Sequence, residues 1–113
     1  MKLENTKSQM RKGVLEYCIL MIIDDHELYA SDILANLKEA KLIVVEGTLY
    51  PLLTRLKNAG LLTYNWKESL QGPPRKYYSL TKNGEIFLRE LDGTWKDLIK
   101  SVQTINKAKT QNK

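Results

Sequence analysis

The side chains with the most to offer chemically stand close together. In EGTLYPLLTRLKNAGLL, residues 46–62, Gly47, Tyr50, Pro51, Thr54, Arg55 and Asn58 are small, hydrogen-bonding or cationic, and Arg75 and Lys76 follow in GPPRKYYSLT. Hydroxyls and guanidinium groups in that arrangement suit hydrogen bonding to a polar, anionic surface rather than bond making. Catalysis asks for other groups. The one histidine, His26, lies in a polar stretch, and the one cysteine, Cys18, lies among apolar residues, where it reads as a small core side chain rather than a redox sensor. Neither joins a second ligand or base to make a metal site or a triad, and no carboxylate pair or phosphate-cradling glycine loop appears in the sequence. An enzyme is therefore the weakest reading, and no cofactor is implied.

Composition narrows the class of partner. Lys and Arg total 18 against 13 Asp and Glu, a net charge of +5, and the pI is near 9.3. That balance favours an anionic partner, with nucleic acid ahead of a membrane surface. The longest apolar stretch, residues 18–23, is a fragment of a core helix rather than a membrane span, and residues 1–10 are too polar for a signal peptide. A single cysteine leaves no internal disulfide and fits a reducing compartment, so a cytoplasmic location is expected. At 113 residues the chain is one domain's worth, small enough that a second subunit would help to stabilise it.

Five elements must position these residues. Met10, Val14, Leu15, Cys18, Ile19 and Ile22 recur at helical spacing and predict a helix over residues 10–23. Ser31 offers an N-cap oxygen to a second, over residues 32–40, with Ile33, Leu34 and Leu37 inside. In the third, Leu49, Leu52, Leu53 and Leu56 fall within one arc of roughly 100° and form a core face. The opposite face carries the chemically capable residues. Pro51 places the start of this helix between residues 46 and 48, and Gly60 ends it in a left-handed conformation. Strand-like runs over 61–67 and 76–80 then flank SLQGPP as a hairpin with a long tip, its inner face carried by Leu62, Tyr64, Trp66, Tyr78 and Leu80. Thr81 caps a last helix reaching about residue 107. In it Leu88, Leu91, Trp95, Leu98, Val102 and Ile105 are spaced 3, 4, 3, 4, 3, the a/d pattern of a helical seam, which implies a second subunit.

Three helices and a hairpin in that order describe a mainly α winged helix-turn-helix with a two-stranded wing, here followed by a long C-terminal dimerisation helix. The expected division is a DNA-binding unit over residues 1–80 and a dimerisation helix with a polar tail over 81–113. In that fold the third helix enters a DNA major groove and the hairpin tip reaches the backbone or minor groove beside it. Tyr50, Pro51 and Thr54 are then the candidates for base edges, with Tyr50 also readable as boundary packing, and Arg55 serves phosphate. Arg75 and Lys76, expected just past the tip, are phosphate candidates, Arg75 also for a narrow minor groove. Lys7, Arg11 and Lys12 form a second basic cluster, equally readable as a solvated face and as phosphate contacts.

The residues also carry a family resemblance. EGTLYPLLTRLKNAGLL, then Trp66, GPPRKYYSLTKNG over residues 72–84 and Trp95, together with the upstream RKGVLEYCIL over 11–20, resemble the PadR family of winged-helix transcriptional regulators, in its shorter subgroup with a single C-terminal helix. One departure is visible, since Tyr29-Ala30-Ser31-Asp32-Ile33 stands where the family usually reads Tyr-Gly-Tyr-Glu-Ile. The resemblance implies a homodimer on a pseudo-palindromic operator, most simply a repressor, released by a small aromatic or amphipathic effector. It also implies two readings of Trp95, as interface core or as the wall of an effector cavity with Ile99 and Phe87. The rival function is a winged-helix protein-interaction module without DNA readout, because that fold does not determine function.

Overall fold

In a computed structural model, which describes residues 1–70 and 72–111, the elements follow in the order α1 (Leu3–Ile23), α2 (Ala30–Glu39), α3 (Glu46–Asn58), β1 (Leu62–Ser69), β2 (Gly72–Leu80) and α4 (Lys82–Gln111). The core is aliphatic. Ile19, Leu20 and Ile23 of α1, Ile33 and Leu37 of α2, Leu49 and Leu53 of α3 and Leu88 of α4 are each fully buried. None of the described helices is long and apolar enough to cross a membrane.

Four expectations about boundaries need correction. Helix α1 begins at Leu3, not near residue 10. Its first two turns expose Leu3 and Met10 and bury nothing, so they leave no apolar stripe for periodicity to find. Helix α2 is capped at Tyr29, whose backbone N–H donates to the Asp32 carboxylate at 3.1 Å, and Ser31 lies inside the first turn. The strands run much closer to the turn than expected, with Ser69 paired to Gly72 across it. GPP reads as turn by composition, yet Pro73 and Pro74 lie in β2 beside a register irregularity between Lys67 and Ser69. Each strand of a two-stranded ribbon has an open edge, where a missing N–H costs no ladder bond. Helix α4 continues to Gln111, past the expected end at 107; residues 112 and 113 of the expected polar tail lie outside the described residues.

Two features escaped the sequence. Leu28 and Tyr78 exchange backbone hydrogen bonds of 3.0 and 2.8 Å, which ties the turn after α1 to the wing as a one-residue third strand. A single paired residue has no periodicity to detect. The start of α4 is also keyed into the α3–β1 turn. Gly60 ends α3 at φ 79°, the Thr81 hydroxyl donates to its carbonyl at 2.6 Å, and the same oxygen accepts the Gly84 N–H at 2.9 Å as the expected N-cap. Thr81 N–H meanwhile donates to the Leu61 carbonyl at 3.1 Å. The boundary drawn at residue 80 therefore does not match the packing, because Leu88 and Leu91 of α4 belong to the same core as α1 and α3.

Candidate nucleic-acid interface

Helix α3 divides as its sequence predicts. Leu49, Leu53 and Leu56 are buried and Leu52 half-buried, whereas Gly47, Tyr50, Pro51, Thr54, Arg55 and Asn58 are exposed. Pro51 is the sixth helical residue, beyond the four donors that any helix start leaves unpaired, so it removes the bond that the Gly47 carbonyl would accept. A proline ring crowds the residue four positions earlier, and that residue is a glycine. The outcome is a helix start with small side chains and polar backbone on its outer face.

On one side of α3 lies a groove of about 460 Å³ between the helix, the start of α2 and the wing. Tyr29 and Ser31 contribute from the α2 end, Glu46, Tyr50 and Thr54 from α3, and Trp66, Arg75, Lys76 and Tyr78 from the wing. Arg75 and Lys76 are not beyond the tip. They lie in β2, opposite Lys67 and Trp66, because β2 starts earlier than its composition suggests. Lys76 Nζ is 4.6 Å from the Tyr64 ring centre and 5.3 Å from that of Trp66, and the Arg75 guanidinium is 5.2 Å from the Tyr29 ring. Lys57 reaches the Tyr64 ring at 5.4 Å. Stacking on ring faces holds these cations in defined places while leaving their charge available. Trp66 is 60% exposed, so the inner face expected of β1 leaves the core before it reaches this residue.

The outer face of the ribbon is braced against α2. The Tyr29 and Tyr77 rings lie 3.7 Å apart between centres, and the hydrogen bond with Tyr29 pushes the Tyr77 phenol up to about 12. Lys67 caps this stack at 4.5 Å from the Tyr77 ring and pairs with Glu27, whose carboxyl that hydrogen bond holds below its usual range.

On the opposite side of α3, α1 supplies Lys12, which lines a cavity of about 640 Å³ with Thr48, Pro51, Arg55, Phe87 and Leu91. Arg11 and Lys12 also border a smaller groove beside Thr48 and the connector to α3. Lys7 lines neither of these cavities and pairs with Glu4 at 3.6 Å. Of the basic cluster at the chain start, the structure brings two residues to α3 and leaves the third a turn away. Arg55, expected free for phosphate, pairs with Glu16 at 3.0 Å.

The apolar seam of α4 also divides. Leu88 is fully buried in its own subunit, so it has no surface left for a partner, and Leu91 is half-buried. Trp95, Leu98, Val102 and Ile105 are progressively exposed, from 40% to 72%. Trp95 lies 6.3 Å from the Tyr17 ring of α1. The Tyr17 hydroxyl donates to Asp92 at 2.6 Å, and that bond pushes the phenol up to about 12. Arg89 reaches Asp24 at 2.9 Å and completes the clamp of α4 on α1. Cys18 is half-buried and its thiol is pushed up by burial, which disfavours the reactive thiolate.

The sequence did not single out Tyr29, Glu46 or Glu16 for this surface. Tyr29 and Glu16 act through partners on other elements, Glu46 only lines the groove, and none has a spacing that announces it.

Comparison with known proteins agrees with this geometry. Residues 19–90 match the model of the transcriptional regulator PadR-like family. A PadR-like transcription factor from Bacteroides fragilis is 65% identical, over 89% of this chain and 98% of that one, with a TM-score of 0.77. A PadR-like transcriptional regulator from Bacillus cereus is 39% identical over 86% and 95%, with a TM-score of 0.76. PadR of Bacillus subtilis, solved in complex with operator DNA, is 28% identical over 69% of this chain and 46% of that one, with a TM-score of 0.64. By fold and by sequence, this chain belongs to the PadR-like family of transcriptional regulators, not to a family of enzymes.

Proposed function

We propose that the protein binds operator DNA as a homodimer, with α3 in the major groove, and represses transcription by occupying a promoter. The exposed face of α3, flanked by ring-stacked Arg75 and Lys76 on one side and by Arg11 and Lys12 on the other, carries this reading. The operator complex of the Bacillus subtilis relative supports it. Tyr50, Pro51 and Thr54 face base edges, and the cations position them on the backbone. Trp95, Leu98, Val102 and Ile105, with Leu91 at the margin, meet the same residues of a second copy, and two-fold symmetry then presents two α3 helices to a pseudo-palindrome. A planar aromatic or amphipathic compound held by Trp95 and Ile99 at that junction releases the DNA, because it binds the arrangement that cannot span the operator.

Selection of duplexes from a random pool by the full chain tests the partner, and a palindromic winner is the expected result. With that duplex, Lys76→Ala weakens binding to all sequences and lowers the salt slope by about one unit, whereas Thr54→Ala changes the preference among sequences at nearly constant slope. If both act uniformly on every duplex, α3 is not the reading surface. Quenching of Trp95 emission by planar aromatics, lost in Trp95→Ala, must be matched by weaker DNA binding; quenching without that effect removes the effector from the scheme.

A further inference from the structure

Glu16 stands where a carboxylate is least welcome, on the border of a surface read as meeting DNA. Its Oε1 lies 3.0 Å from Arg55 Nη2, and its side chain is 29% exposed against 72% for Arg55. Lys12 one turn earlier on α1, and Thr48 and Pro51 on α3, line the same crease. The acid is thus the anchored member and the guanidinium the one that extends from the surface. An unpaired carboxylate there would only repel phosphates. Paired, it does something more specific.

A guanidinium presents five N–H donors in one rigid plane, and Glu16 engages it through Nη2. Donors on the remaining edge stay available, in an orientation that the carboxylate restricts. An arginine free on a flexible stem pairs with any phosphate it reaches and adds affinity for every sequence. One whose plane is held meets a pair of acceptors, such as O6 and N7 of a guanine, only where the sequence supplies them.

We propose that Glu16 is a positioning residue for operator readout, holding the Arg55 guanidinium at the α1 edge of α3 so that its free N–H edge reads a base. This rests on the reading of α3 as the operator-contacting helix. It makes Arg55 a specificity contact rather than the phosphate contact expected from sequence.

The test uses the full chain with two probes, the duplex it selects from a random pool and a shuffled duplex of the same composition. Glu16→Gln removes a negative charge, so it binds the shuffled duplex at least as tightly as the unmodified protein, while the ratio of the two affinities falls about tenfold. Arg55→Lys keeps the charge, loses the fork and lowers the ratio similarly at unchanged salt slope. In an Arg55→Ala background, Glu16→Gln changes the ratio no further, as expected of two residues acting through one contact. A ratio retained by Glu16→Gln, or lowered equally with and without Arg55, overturns the inference and leaves DNA binding by α3 standing. Arg55→Lys leaves Glu16 in place and decides independently, since retention of the ratio by the lysine also overturns it. An unmodified chain that binds both duplexes equally overturns the sequence-reading function and this inference together.

Discussion

The first third of α4 and the remainder of the same helix share one apolar spacing and have opposite fates. Leu88 is fully buried against its own subunit, Leu91 is half-buried, and the clamp of Tyr17 on Asp92 and Arg89 on Asp24 fastens this part to α1. Beyond Trp95 the apolar side chains face outward, reaching 65% exposure at Val102 and 72% at Ile105. Over 30 residues the helix spans about 45 Å, more than a domain of this size can cover. A heptad pattern therefore states that a stripe must be covered; it does not state that one partner covers all of it. The first part serves the fold, and the second leaves its apolar side chains uncovered.

The sharpest way to break that contrast is to cut each part separately. Leu88→Ala empties a filled core site and destabilises the folded chain by about 2–5 kcal/mol, visible as a lower denaturant midpoint. A loss well under 1 kcal/mol would mean that the first third is not part of the core. Gly84 tests how α4 is seated. A Cβ there would overlap the Leu61 carbonyl oxygen, which is backbone and cannot turn aside, so Gly84→Ala costs about 1–3 kcal/mol. A melting temperature unchanged from that of the unmodified protein would show that the Thr81 junction yields easily.

Substitution in the outer part has a different signature. Leu98→Ala with Ile105→Ala leaves unfolding of the monomer nearly unaltered and weakens subunit association by about 1–3 kcal/mol, read by sedimentation across a concentration series. A full-length chain already monomeric at micromolar concentration would remove the premise. The smallest effect concerns the clamp of α4 on α1. Tyr17 is held protonated by Asp92, its phenol raised from 10.0 to about 12. A folded value above the unfolded one contributes stability below about pH 10, and that contribution is lost as pH rises toward 12. Tyr17→Phe accordingly flattens part of the alkaline stability limb, the rest being shared by Tyr77, whose phenol is raised to about 12 by Tyr29, and by Tyr78 and Cys18, both pushed up by burial. An identical limb in both proteins would contradict the role of the Tyr17–Asp92 bond.

Much of this molecule was legible in its sequence. The leucine face of α3, the opposite face of Gly47, Tyr50, Pro51, Thr54 and Arg55, the stop at Gly60 and the cap at Thr81 all follow from local rules, periodicity on one hand and the conformational limits of glycine, proline and threonine on the other. Those rules act within a few residues, and the chain states them wherever it is read. Contacts between distant elements were settled by the tertiary structure. Periodicity marked Leu88 as apolar, and only packing against α1 and α3 made it core instead of seam. Composition marked Arg55, Arg75 and Lys76 as cations; the fold placed Glu16 beside the first, Tyr29 under the second, and Tyr64 and Trp66 under the third. A charge or an apolar side chain declares what it requires, and where that requirement is met depends on how the elements are stacked in three dimensions.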